Sequence, residues 1–236
     1  MSRPTIVVAE LAGLVEDFAA RAERAAAAAL ATRGRFTFVI PGGSAAEKLL
    51  PRLSRSAIDW SRTDILYSDE RFVPRSDPDS SASASARLLF DGLGTKGPRV
   101  HAMVERTDDA DATAAAYAER VRKTLGEAPV ADLILLGIGE DGHIASLFPK
   151  RASLEVTDRT VIVERDSPKP PPTRLTLSLP LLARGREVVI AAFGAGKAEP
   201  LHAVVHDPGC TLPAARLLRM CDHVTLLLDP AAAAKL

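Results

Sequence analysis

Cysteine is scarce. Cys210 and Cys221 are the only two, with no CxxC pairing and no Cys/His cluster at zinc spacing, so nothing supports a disulfide scaffold or a structural metal. The expected compartment is reducing. Net charge is lacking as well: 30 Lys+Arg balance 30 Asp+Glu, which argues against a nucleic-acid binder acting through bulk positive charge. No run approaches the roughly 20 consecutive apolar residues of a membrane-spanning helix. The opening MSRPTIVVAEL carries no basic head, long apolar stretch or small-residue cleavage site of a signal peptide. The expectation is a cytoplasmic protein with neither nucleic acid nor membrane among its partners. Aromatic residues make up only 4%, so the core must be built mainly from Ala, Val, Leu and Ile.

The 236 residues are 47% hydrophobic and 25% charged, an ordinary globular composition. No repeat, heptad or convincing linker divides the chain, and one domain spanning 1–236 is expected. From Leu11 to Arg33, Leu11, Leu14, Val15, Phe18 and Ala22 recur at helical spacing, and Gly34 is placed to stop the helix. Phe36–Ile40 then reads as a buried strand running into Pro41-Gly42-Gly43, after which a helix should start near a capping Ser44. The rhythm continues with a strand at Ile65–Tyr67, a helix at Ser81–Phe90, a strand at Val100–Val104 and a helix at Asp108–Leu125. Further strands follow at Leu133–Leu136, Val161–Val163, Leu175–Leu179, Val188–Ala192 and Val224–Leu228. Nearly continuous apolar strands alternating with helices predict an α/β fold, a mainly parallel Rossmann-like sheet with helices on both faces. In such folds ligands bind beyond the carboxyl ends of strands.

Polar segments stand at those positions. Gly42-Gly43-Ser44 leads from a strand into a helix, where glycines allow close backbone approach and the helix N-terminus suits a phosphate; the same residues also make an ordinary turn. Ser68-Asp69-Glu70-Arg71 places two acids and a guanidinium together, either a solvated ion pair or a site in which Arg71 meets an anionic oxygen and Asp69 the reacting carbon. Gly137 to Gly142 matches GxGxxG, with Glu164 near the position of a ribose-binding acid. Glu140 and Asp141, however, would set negative charge where a pyrophosphate must sit, and Pro149 cuts short the helix that should follow. His143 lies two residues beyond Asp141. With an unperturbed imidazole pKa of about 6.5 it is a natural proton acceptor, whose tautomer a carboxylate could hold. His101, His202, His206 and His223 lack such a setting and read as surface or core residues. Two further cation-bearing segments are the stiff proline-rich loop Ser167 to Arg174, which presents Lys169 and Arg174, and Gly194-Ala195-Gly196-Lys197.

Together, Pro41-Gly42-Gly43-Ser44, SDERFVP at 68–74, LLGIGEDGHIASLFP at 135–149, SPKPPPTRLTLSL at 167–179 and Gly194–Lys197 resemble the 6-phosphogluconolactonase family over nearly the whole chain. DGHIASLFP with SPKPPPTRLTL carries most of the specificity. The resemblance implies a fold akin to glucosamine-6-phosphate deaminase and ribose-5-phosphate isomerase. It also implies hydrolysis of 6-phospho-D-glucono-1,5-lactone in the oxidative pentose phosphate pathway, without metal or cofactor. On that reading His143 is the general base and Asp69 and Asp141 are polar residues of the catalytic site. Arg71 is a substrate-binding cation, and Arg174, Lys197 and Gly42-Gly43-Ser44 form a phosphate clamp. The partner is a small phosphorylated sugar lactone; monomer and homodimer both remain open. Where family members usually carry Ser-Asn-Tyr, this chain reads Asp79-Ser80-Ser81-Ala82. A glucosamine-6-phosphate deaminase would share the DGH histidine but resembles the chain less over Ile144–Pro149. A sugar-phosphate-sensing regulator would need a basic helix-turn-helix, for which the sequence offers no segment.

Overall fold

The computed structural model describes residues 4–236. It opens with β1 (Thr5–Val8), followed by α1 (Leu11–Arg33), β2 (Phe36–Ile40), α2 (Gly43–Leu53), β3 (Thr63–Tyr67) and β4 (Asp69–Arg71). Next come α3 (Ser81–Leu88), β5 (Arg99–Val100), α4 (Ala110–Leu125), β6 (Leu133–Gly137), β7 (Val161–Glu164) and β8 (Arg174–Leu177). The chain closes with α5 (Leu179–Leu182), β9 (Glu187–Ala192), α6 (Ala198–His206), α7 (Pro213–Met220) and β10 (Val224–Leu228).

Seven strands form one sheet in the order β1-β10-β9-β6-β2-β3-β5, every pair of which is parallel. The α/β architecture expected from the apolar strands is present, because strands such as Leu133–Leu136 and Val224–Leu228 are buried along their length and need cover on both faces. Helix α1 buries Leu14, Phe18, Ala19, Ala22, Ala26 and Ala29. That largely small-residue stripe lets the helix lie close to a sheet built with few aromatics. Gly34 ends it in the left-handed region (φ 76°), its N–H donating to the Leu30 carbonyl, as a C-terminal glycine should.

The order of strands positions the site. From β2 the chain moves outward to β3 and β5, then returns to β6 beside β2 and moves the other way through β9 and β10. The direction reverses between β2 and β6, and the crevice beyond their carboxyl ends is where such sheets hold ligands. The Gly42 turn leaves β2, and the Gly139–His143 loop leaves β6.

Several expectations need correction. The segments at 161–164 and 174–177 leave the parallel sheet: β4, β8 and β7 form a second, antiparallel sheet. A short apolar run cannot reveal which strand it pairs with. The strand at Val100–Val104 is only Arg99–Val100. Strand β8 ends at Leu177, because Ser178 N-caps the short helix α5 and Pro180 occupies its first turn. The helix at Ser81–Phe90 stops at Leu88, beyond which a 3-10 turn runs over Phe90–Lys96. Ser44 is not a cap: Gly42 holds that position, Gly43 makes the turn at φ 66°, and Ser44 lies within the first helical turn. Strand β1 was not anticipated. Among the described residues no helix is long and apolar enough to cross a membrane, and both cysteines are free and buried.

Candidate active site

A cavity of about 240 Å³ opens beyond the carboxyl ends of β2, β3, β6 and β9, four strands adjacent in the sheet. That suits a small molecule. Gly42, Gly43, Ser44, Asp69, Arg71, His143, Lys169, Arg174 and Lys197 all line it, from segments scattered over more than 150 residues of chain. Asp141 does not line the cavity. It acts on His143 from behind.

The loop after β6 is folded around that pair. Gly139 donates its N–H to the His143 carbonyl at 2.8 Å, and Gly142 turns the chain with φ 79°. Asp141 Oδ1 then lies 2.5 Å from His143 Nδ1 and also accepts the His143 backbone N–H at 3.3 Å. A Cβ at Gly139 would stand 2.0 Å from His143 Nδ1 and 2.4 Å from Asp141 Oδ1. Glycine there is a requirement of the dyad, not of a dinucleotide phosphate. Burial disfavours the charged form of Asp141, but the hydrogen bond and charge of His143 outweigh it and lower the carboxyl to about 2. An ionised carboxylate only accepts, so Nδ1 carries the proton and, in the neutral ring, Nε2 is the open acceptor. The ring leans on Phe148, with centroids 4.6 Å apart.

Asp69 is held by two hydroxyls: Ser68 donates to Oδ1 at 2.9 Å and the buried Ser146 to Oδ2 at 2.7 Å. Its neighbour Glu70 points away from the cavity. The Glu70 carboxylate accepts the backbone N–H groups of Arg71, Ser81 and Ala82, each at 2.8 Å, and the Ser80 hydroxyl at 3.3 Å. Burial pushes the Glu70 carboxyl up, and those N–H donors pull the other way. Glu70 thus caps α3 from another strand. Nothing in the local sequence signals this, because the donors lie about ten residues downstream.

The cations are set close together with little to neutralise them. In the antiparallel ladder Arg71 stands directly opposite Arg174, an arrangement of like charges that costs stability unless an anion sits between them. Arg174 is only 6% exposed. Its guanidinium donates to the carbonyls of Lys169, Pro170 and Pro171 and stacks 5.8 Å from the Phe148 centroid. Burial, and to a smaller degree Arg71, lowers its pKa, against an opposing pull from Asp69. Burial likewise lowers Lys197, which stands at the start of α6. Among the described residues, none of Arg71, Lys169, Arg174 and Lys197 has a carboxylate within ion-pair distance. The first turn of α2 adds backbone N–H groups that have no partner within the helix.

Three of the other histidines have partners elsewhere: His101 pairs with Asp64 at 2.9 Å, and His202 and His206 pack on each other. Glu164 accepts from Ser153 and from the Asp166 N–H, remote from any ribose role. No group of three or more His, Cys, Asp and Glu suited to a metal ion occurs among the described residues.

A parallel α/β sheet whose switch-point crevice combines a His–Asp dyad with clustered cations defines a protein that handles small anionic substrates. The chain belongs to the glucosamine-6-phosphate isomerase/6-phosphogluconolactonase family, whose sequence profile matches residues 9–226. It is 38% identical to a 6-phosphogluconolactonase of Streptomyces coelicolor, covering 94% of this chain and 90% of that protein. It is 35% identical to that of Rattus norvegicus, with 98% and 90% covered. Among solved structures, the 6-phosphogluconolactonase from Trypanosoma cruzi superposes with a TM-score of 0.87 at 27% identity, covering 100% of this chain and 98% of that one. A monomeric glucosamine-6-phosphate deaminase, at 20% identity and a TM-score of 0.78 over 98% and 100% of the two chains, shares the fold.

Proposed function

We propose that this protein hydrolyses 6-phospho-D-glucono-1,5-lactone to 6-phospho-D-gluconate, the second step of the oxidative pentose phosphate pathway, with His143 as general base. The observation that carries this reading is the His143–Asp141 pair at 2.5 Å in a cavity that also gathers Arg71, Lys169, Arg174 and Lys197. The names and coverage of the relatives supply the substrate class.

Nε2 of His143 takes a proton from water as its oxygen bonds to the lactone carbonyl carbon. The imidazolium so formed is stabilised by Asp141. When the tetrahedral intermediate collapses, the bond to the ring oxygen breaks and the same ring returns the proton to it. Asp69, fixed by Ser68 and Ser146, accepts from a substrate hydroxyl. The phosphate lies away from the reacting carbonyl, so its binding by the arginines, lysines and the Gly42-Gly43-Ser44 turn orients the lactone without entering bond making.

A pH-stat assay on freshly generated lactone, with spontaneous hydrolysis subtracted, tests the reading. His143→Ala should lower kcat by about 10² or more with phosphosugar binding retained. Near-normal turnover in a folded variant removes His143 from the role. Turnover of glucosamine 6-phosphate instead of the lactone would assign the chain to the deaminase branch of the family.

A further inference from the structure

Ser81 lies in the Asp79–Ala82 stretch that departs from the family pattern. It opens α3, 2% exposed, yet it lines the cavity. Its backbone N–H donates to the Glu70 carboxylate at 2.8 Å, which ties the start of α3 to β4. Its Oγ accepts from Arg71 Nη1 at 3.3 Å. Among the described residues the hydroxyl proton has no acceptor, and a buried hydroxyl without one is an unmet demand for a partner. A hydroxyl that already accepts from a guanidinium is polarised into a better donor.

Gly42 shows which part of the cavity this hydroxyl faces. A Cβ there would stand 2.4 Å from Ser81 Oγ and 3.4 Å from Arg71 Nη1. Ser81, Arg71 and the turn that opens α2 therefore meet at one point. The Ser81 hydroxyl fits against the turn there because residue 42 has no side chain.

We propose that Ser81 is a ligand-binding residue of the anion subsite, donating its hydroxyl proton to a phosphoryl oxygen that Arg71 and the Gly42-Gly43 turn also hold. Glu70 positions it by clamping the first N–H groups of α3. The identity of the phosphorylated ligand rests on the lactonase reading; the subsite does not depend on the chemistry at the carbonyl.

Inorganic phosphate is the probe, titrated by calorimetry into the wild-type chain and into Ser81→Ala and Ser81→Cys, with thermal midpoints as the check on folding. Cysteine keeps the size of serine but is a weak donor. Both variants should bind phosphate about tenfold more weakly, the effect of losing one hydrogen bond to a charged group. Their KM for the phosphorylated lactone should rise similarly, with a smaller change in kcat. Wild-type phosphate affinity in either variant overturns the proposal, as does a wild-type chain that binds no phosphate. Serine-dependent phosphate binding in a chain without lactone hydrolysis supports the subsite and overturns the lactonase reading alone.

Discussion

Asp141→Ala removes the carboxylate that faces His143 Nδ1, together with its bond to the His143 backbone N–H. The carboxylate oxygen is 2.5 Å from Nδ1, and the Asp141 side chain is 38% exposed. A hydrogen bond to a charged partner is worth about 1.5–3 kcal/mol. Solvent screening at this exposure selects the lower part of that range, about 1.5–2 kcal/mol. With His143 as the proposed general base, the charge on its ring forms in the transition state, so that energy is lost from the barrier, roughly 12- to 30-fold in kcat. KM should change little, since Asp141 does not line the cavity. The assay is initial-rate pH-stat hydrolysis from pH 5 to 8. A kcat within twofold of wild type would refute the argument that the carboxylate supports the base. A loss equal to that of His143→Ala would show that Asp141 does more than support it.

Gly139→Ala tests the same pair by steric means: its Cβ would lie 2.0 Å from His143 Nδ1, so kcat should fall at least tenfold with the fold retained by circular dichroism. Lys197→Ala should raise KM for the phosphorylated lactone about tenfold with little change in kcat, since one partly exposed charge-assisted contact is lost. Stability should also follow pH in a set direction. Asp141 is lowered to about 2, and Asp64 is lowered because the hydrogen bonds of His101 and Arg35 outweigh its burial. Depressed carboxyls contribute stability that is complete above their unfolded value of about 4 and is lost as pH falls toward their folded values. The thermal midpoint should therefore be insensitive to these two groups from pH 5 to 8 and drop between about pH 4 and 2. In Asp64→Asn the drop should be shallower.

Much of the architecture was legible from local pattern. Leu11–Arg33 begins and ends where its 3.6-residue spacing and Gly34 say it should, and Phe36–Ile40 and Val224–Leu228 are strands over the anticipated residues. These are consequences of periodicity and backbone freedom, which act within a few residues. The polar segments after β2 and β6 were legible for a related reason, since glycine, acid and histidine in a loop after an apolar strand have no core to fill.

What the chain alone could not decide is who faces whom. An apolar run at 175–179 reads the same whether it joins a parallel sheet or pairs antiparallel with residues 69–71, and that choice is a matter of tertiary packing. It is the pairing that sets Arg71 opposite Arg174 and concentrates positive charge in a molecule with none to spare overall. Glu70 looked like half of a surface ion pair until the fold brought the start of α3 onto it. Ser81 read as the first residue of a helix until Gly42 and Arg71 were found against its hydroxyl. Composition and periodicity determined the elements and the loops that could carry chemistry. Contacts between segments far apart in the chain decided the second sheet, the charge cluster and the buried hydroxyl, because their energies depend on distance in space and leave no trace in local spacing.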